Sequence, residues 1–278
     1  FNFSKVKIYD RDKENASDFV VWKAWKKEDW ENFWEEKFLI DGEEKILKWR
    51  PGWHIECSAC NMKYFWPQID IHMGWVDNIF PHHQNEIAQT ESYTRKEFSK
   101  YWLHAGHLMV NGKKMSKSAN NFYTLRDLEK KFEKVDKSVL YRAIRFSFMN
   151  GKYKDSMEFS FEKLEQCINT ITRIDQTIKS LNRYIEENVW DTTRTRRDFS
   201  NELQGFIQDF VLCLEDDFDM VEAFALFFEY ITFVNTSIKD TEFCRAEAVA
   251  SLRLFETFNE VFSIIKFDFE NVEIPENI

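Results

Sequence analysis

The chain has 278 residues, 44% of them hydrophobic, with 28 Phe and 10 Trp against only 7 Gly and 4 Pro. That balance excludes a collagen-like, linker-like or disordered polypeptide, disfavours a turn-dense all-β fold, and leaves room for one large or two modest globular domains leaning toward helix. A formal net charge of −10 excludes a protein that coats nucleic acid with a uniformly basic surface, so any nucleic-acid contact has to be local.

The chain opens on Phe1 rather than Met, and residues 2–7 lack the apolar run of a signal peptide, which reads as a fragment. Across residues 1–50, Trp22, Trp25, Trp30 and Trp34 recur every three to five positions among charged residues. This predicts an amphipathic helix whose aromatic face anchors it to a core, with no chemistry assigned. From Pro51 to about Asp136 the pattern changes to short apolar runs, residues 69–71 and 108–110, between polar and Gly-containing turns, as at strand ends of an α/β domain. After Asp136 a helical period takes over. Phe161, Leu164, Ile168, Ile171, Ile174, Ile178 and Leu181 predict one long helix, the set Phe224 to Val234 a second, and Leu254 to Ile265 a third. Residues 191–198, without apolar side chains, read as a connection, and the second half as a helical bundle.

No apolar run nears the roughly 18–20 residues a bilayer crossing needs, so no membrane partner is expected. Five unevenly spaced cysteines, Cys57, Cys60, Cys167, Cys213 and Cys244, argue against a disulfide framework and for a reducing, cytoplasmic setting. All six histidines fall between His54 and His107, and Cys57 and Cys60 lie in the same stretch, so chemistry is expected there.

Cys57, His82 and Glu86 form the first candidate site. His82 and Glu86 are four apart, so a helix opened by Pro81 would project both from one face, with Cys57 arriving from a separate strand end. Thiolate, imidazole and carboxylate together suit zinc better than calcium or magnesium. On spacing alone the alternative stands beside it: His82 packs or caps, and Cys57 is a small buried hydrophobe. No fourth ligand is evident. Cys57 and Cys60 also satisfy C-x-x-C, a weak redox signal without a second copy.

The second candidate is Lys114-Met115-Ser116-Lys117-Ser118, preceded by Asn111-Gly112-Lys113. Two lysines three apart in a Gly-flanked, Ser-containing loop can set two ammonium groups against one polyphosphate, with hydroxyl and backbone N–H donors beside them.

This pentapeptide resembles the KMSKS signature of class I aminoacyl-tRNA synthetases. The runs Gly52-Trp53-His54-Ile55-Glu56-Cys57-Ser58-Ala59, Asp70-Ile71-His72 and Phe80-Pro81-His82-His83-Gln84-Asn85-Glu86-Ile87-Ala88-Gln89 are similar to cysteinyl-tRNA synthetases. Asp216-Asp217-Phe218 and Glu222-Ala223 resemble the helical domain that follows the catalytic fold in that family. The likeness runs from about Asp18 to about Phe262 and is strongest over 51–127.

The resemblance implies an α/β fold: residues 1–136 form the second half of a Rossmann-like catalytic domain carrying a zinc site and the KMSKS loop. Residues 137–160 form a connecting segment against the tRNA stem, and 161–278 a helical bundle. It implies that Cys57, His82 and Glu86 are three of four Zn2+ ligands, the fourth belonging with the HIGH-type ATP motif to an N-terminal segment outside this chain. Such a three-ligand fragment is expected to hold zinc weakly and to be inactive by itself. His104-Ala105-Gly106-His107 has the H-x-G-H form but lies too close to Lys114 to be that motif, and both histidines are expected to be structural. Trp53, His72 and Asp77 are implied to line the cysteine pocket, Asp77 pairing with the substrate ammonium. Lys114, Lys117 and Ser116 are implied to bind ATP, supplied with Mg2+, the two lysines acting catalytically.

The expected partners are L-cysteine, ATP and cysteine tRNA, with a monomeric enzyme. Residues 86–135 hold ten Lys/Arg against six Asp/Glu, a basic patch suited to phosphate and the tRNA acceptor end. The implied reaction is ATP-dependent formation of cysteinyl-adenylate followed by transfer to tRNA, with zinc selecting the thiol. Two rivals are a cysteine-adenylating ligase with a small-amine acceptor and a non-catalytic zinc- and RNA-binding module. Met73 and Trp75 stand where the family carries glycines; either the adenosine pocket is reshaped or these side chains point away.

Overall fold

The computed structural model describes residue 15 and residues 18–267. The opening residue and residues 2–7, read above for a leader, lie outside the described residues. The chain divides into two compact units, Phe1–Ala105 and Gly106–Ile278.

The first unit begins with a three-stranded antiparallel sheet in the order β1-β3-β2: β1 (Trp22–Ala24), β2 (Trp34–Ile40) and β3 (Glu43–Pro51). The tryptophan-rich segment is therefore not the predicted amphipathic helix: Trp22 and Trp34 lie in strands, and Trp25 and Trp30 lie in the connection between them, around a short turn at Lys27–Asp29. The reason lies in Asp41-Gly42, both at positive φ (54° and 83°), a two-residue hairpin turn that pairs Ile40 with Glu43 and runs on to Trp34 opposite Trp49. Trp, Phe and Ile fit this pleated surface, and Trp22 meets Trp34 edge-on with ring centroids 5.7 Å apart.

Pro51 ends β3, and Gly52 turns the chain into α1 (Trp53–Phe65). A Cβ at Gly52 would come within 2.2 Å of the Val20 carbonyl oxygen, so only glycine fits there. Next comes a parallel pair, β4 (Ile69–Trp75) and β5 (Ser99–Ala105), joined by a wide turn (Ile79–His83) and α2 (Gln84–Thr94). This β-α-β unit bears out the strand read at 69–71. Ligand sites on such units form at the carboxyl ends of the strands and the first turn of the crossover helix.

In the second unit, β6 (Leu108–Val110) pairs antiparallel with β7 (Lys113–Lys114) and parallel with β8 (Met157–Phe159). Gly106 leads into it where a Cβ would lie 2.2 Å from the Asp155 carbonyl oxygen. Helices α3 (Leu125–Lys131) and α4 (Lys137–Met149) precede the bundle of α5 (Phe161–Glu187), α6 (Arg197–Glu215), α7 (Met220–Ser237) and α8 (Arg245–Phe262). The three predicted long helices are α5, α7 and α8. Between the first two lies α6, which buries Phe199, Leu203 and Phe210, and its start at Arg197 shortens the predicted connection.

The phenylalanine excess is spent in this bundle: Phe224, Phe227, Phe255, Phe258 and Phe262 are fully buried, and Phe224 stacks on Phe262 at 4.3 Å. Tyr230, also fully buried, donates its hydroxyl proton to the Ser251 carbonyl at 2.8 Å. Arg142 on α4 forms a fork to both Asp175 oxygens at 2.6 and 2.9 Å and donates to the Ile264 carbonyl at 3.1 Å, tying α4 to α5 and to the end of α8. Truncating Phe227 to Ala should cost about 3–5 kcal/mol in urea-induced unfolding followed by circular dichroism. A loss under about 1 kcal/mol would show that the aromatic cluster does not carry the bundle.

Candidate active site

In the first unit, two helix faces meet above the parallel pair. On α1, His54, Cys57 and Ser58 share one side, at spacings of three and four. Cys57 thus comes from a helix rather than from the predicted strand end, because Gly52 starts α1 directly after β3. On the other side, Pro81 does not open the helix. Phe80 before it is extended (φ −137°, ψ 132°), as a residue preceding proline prefers, and α2 starts at Gln84. His82 and Glu86 nevertheless keep one face: His82 Nε2 lies 2.9 Å from Glu86 Oε1. Ser58 Oγ ties the helices together by donating to Gln89 Oε1 at 2.6 Å.

The donor atoms of Cys57, His82 and Glu86 all lie within 4.8 Å of one another, as do those of His72, His83 and Glu86. The two groups share Glu86, which is fully buried. His72 Nε2 sits 2.8 Å from Glu86 Oε2, so the two carboxylate oxygens face one imidazole each. Imidazole, thiol and carboxylate donors gathered this closely have the arrangement of groups facing a common cation. The imidazoles continue outward, with His54 Nδ1 2.8 Å from His82 Nδ1 and His83 Nδ1 2.7 Å from His104 Nε2. His54, His83 and His104 were not singled out as site residues from sequence; the confinement of every histidine to residues 54–107 was the available signal.

Electrostatics agree with a cation site. Burial pushes the Cys57 thiol up to about 11, and the Glu86 charge adds to it; both causes oppose a thiolate, and a bound cation reverses them. Burial also lowers His83, to about 4, and lowers His54 and His104, so these rings are neutral at pH 7. Burial raises the Glu86 carboxyl, but His72, His82 and His83 together outweigh it and hold the group below its ordinary value, ionised. Soft thiolate, neutral imidazole and carboxylate in one buried cluster fit zinc.

Trp53 lies over His82 with ring centroids 4.3 Å apart and planes 15° off parallel, an exposed indole wall beside the cluster. His72 is in the cluster itself. Asp77 is on the exposed turn after β4 (Val76–Asn78) and in neither donor group. Met73 and Trp75, 69% and 52% exposed, point to the opposite face of β4 from His72 and Gly74. A Cβ at Gly74 would lie 2.6 Å from His83 Cε1, so the position beside His83 has no room for a side chain. All five cysteines are free, and Cys57 and Cys60 form no redox bridge.

In the second unit, Asn111 and Gly112, at φ 53° and 69°, turn β6 into β7 and lead to the lysine loop. Met115 N–H donates to the Leu108 carbonyl at 2.8 Å, while Lys114 and Lys117 are exposed. Ser116 Oγ accepts from Ala119 N–H at 3.2 Å and pairs with Ser118 Oγ at 3.2 Å, shaping the loop from within. Lys117 Nζ sits 5.8 Å from the centre of the Phe122 ring.

The family model for the tRNA synthetases class I (C) catalytic domain matches residues 2–169. The chain is 38% identical over 276 residues to a protein named cysteine–tRNA ligase from Chlamydia caviae, covering 99% of this chain and 54% of that protein. It is 39% identical over 252 residues to one from Brachyspira hyodysenteriae, covering 91% of this chain and 49% of that protein. The chain thus spans about half the length of the curated relatives it matches. Among solved structures, a LeuRS–tRNA–LeuAMS ternary complex from Agrobacterium radiobacter K84 shares the fold, with a TM-score of 0.62, 14% identity, and coverage of 82% of this chain and 32% of that one. On this evidence the chain belongs to the class I (C) tRNA synthetase catalytic-domain family.

Proposed function

We propose that the protein containing this chain is a cysteine–tRNA ligase that activates L-cysteine with ATP and passes it to cysteine tRNA. The observation that carries this reading is the convergence of half-buried Cys57 with buried His82 and Glu86 in one donor group, in a chain that also holds an unmismatched KMSKS loop. These three residues would hold zinc. Zinc bound there supplies a soft acceptor that favours a substrate thiol over a hydroxyl, a distinction of one atom that an apolar slot makes poorly.

The chain's own residues do the rest. Trp53 walls the amino-acid pocket with an indole face, and His72 is held toward it through Glu86. Asp77 would pair with the substrate ammonium. In activation, a cysteine carboxylate oxygen attacks the α-phosphorus of Mg-ATP, the bond to the bridging oxygen breaks, and pyrophosphate leaves with that electron pair. Lys114 and Lys117 stabilise the charge that builds on the phosphates, with Ser116 shaping the loop that carries them. A terminal ribose hydroxyl of the tRNA then attacks the carbonyl carbon, and AMP leaves. A cytoplasmic setting suits five free cysteines, and no described helix is long and apolar enough to cross a membrane.

The full-length protein should catalyse ATP–pyrophosphate exchange that depends on cysteine and is not supported by serine. Lys117→Ala should lower its kcat by about a hundredfold to a thousandfold. Exchange supported equally by serine would refute selection by the thiol, and exchange without tRNA charging would favour a small-amine acceptor. Zinc titration of the chain should release protons, and the apparent affinity should fall as pH is lowered, because the Cys57 thiol gives up its proton to the metal. Cys57→Ser should remove that part of the release; affinity indifferent to both pH and this substitution would contradict the ligand assignment.

A further inference from the structure

The KMSKS lysines need a fixed starting point, since an ammonium on a flexible four-carbon stem is positioned only as well as its backbone. The source of that fixation is a residue outside the pentapeptide. Asn121 Oδ1 accepts from Ser116 N–H at 2.9 Å, and its Nδ2 donates to the Lys114 carbonyl at 3.3 Å and reaches the Lys113 carbonyl at 3.5 Å. One carboxamide thus holds the peptide groups on both sides of Met115. Asn120, in the left-handed region at φ 51°, donates its N–H to the Lys117 carbonyl at 3.2 Å and closes the far side of the loop.

Asn121 is itself anchored from behind. Three residues on, Thr124 caps α3: its Oγ1 accepts from Asp127 N–H at 3.2 Å, while Asp127 Oδ2 accepts from Thr124 N–H at 2.8 Å. The loop therefore hangs between the β6–β7 hairpin and a capped helix, and the Asn121 carboxamide is the side chain that bridges it.

We infer that Asn121 is a positioning residue: its carboxamide sets the loop backbone from which Lys114 and Lys117 address the polyphosphate of ATP. This rests on the adenylation reading above. It acts through the lysines, so its loss should appear in the phosphate chemistry and not in cysteine recognition, whose residues belong to the other unit. Asp at this position would keep the acceptor for Ser116 N–H but lose both donations.

In the full-length protein, Asn121→Ala should lower kcat for ATP–pyrophosphate exchange by about tenfold or more, from the loss of two to three hydrogen bonds. The KM for cysteine should stay at its wild-type value. In a Lys117→Ala background the same substitution should add little, because the two act as one unit. An equal fold-loss in both backgrounds, or an unchanged kcat, would overturn the inference.

Hydrogen exchange and ATP binding, both measured on the full-length protein, separate this from the reading it rests on. The Ser116 amide should exchange faster in Asn121→Ala, and ATP should bind about tenfold more weakly. If the wild type shows no cysteine-dependent exchange, the adenylation reading fails, while these two measurements still judge Asn121; an unchanged Ser116 amide rate would show that the carboxamide does not hold the loop.

Discussion

The first unit is organised around one buried negative charge. The Glu86 carboxylate has no exposure to water, and an ion so placed costs several kcal/mol unless cations or dipoles surround it. It lies in the first turn of α2, where the helix dipole favours a negative group, and it faces His72, His82 and His83. The thiol of Cys57 completes the ring from α1. Burial has also made neutral imidazoles the favoured form at His83, His54 and His104, so the surroundings offer lone pairs more readily than compensating protons. A divalent cation satisfies these groups together.

That constraint explains features that look incidental. Gly74 leaves the space that His83 needs, while the neighbouring Met73 and Trp75 are free to be large on the other face of β4. The Ser58–Gln89 hydrogen bond holds α1 against α2, and so fixes the thiol relative to the imidazole and the carboxylate. The second unit solves a different problem. Its core is a phenylalanine-packed bundle that gives a rigid base, and its working part is an exposed loop between a hairpin and a capped helix. Under the proposed function, selection of a thiol would call for buried, fixed donors, and meeting a polyphosphate would call for exposed cations on a backbone held at a few points.

The sequence made the donor triad legible because His82 and Glu86 stand four apart, and the turn carrying His82 runs directly into α2, which keeps the two side chains together. It made α5, α7 and α8 legible because their apolar period persists for many turns. It misled where two periods compete. Tryptophans at spacings of three to five suggest a helix, but the strands are set by alternation on either side of Asp41-Gly42, a turn signal that outweighs them. The α6 helix carries the same signal, with Phe199, Leu203, Phe206, Phe210 and Leu214 three to four apart, and adds a fourth long helix to the three named from sequence. The wider histidine cluster is visible in sequence only as a concentration, since α1, β4, β5 and the turn before α2 bring those rings together by tertiary contact.

In the proposed function, Cys57, His82 and Glu86 would hold a zinc ion that takes the substrate's sulfur. X-ray absorption at the zinc edge of the full-length protein tests it most directly. Adding L-cysteine should raise the sulfur contribution around zinc by one atom, L-serine should leave it unchanged, and Cys57→Ser should lower it by one before any substrate is added. A sulfur shell that does not respond to cysteine, or that survives Cys57→Ser intact, would contradict it.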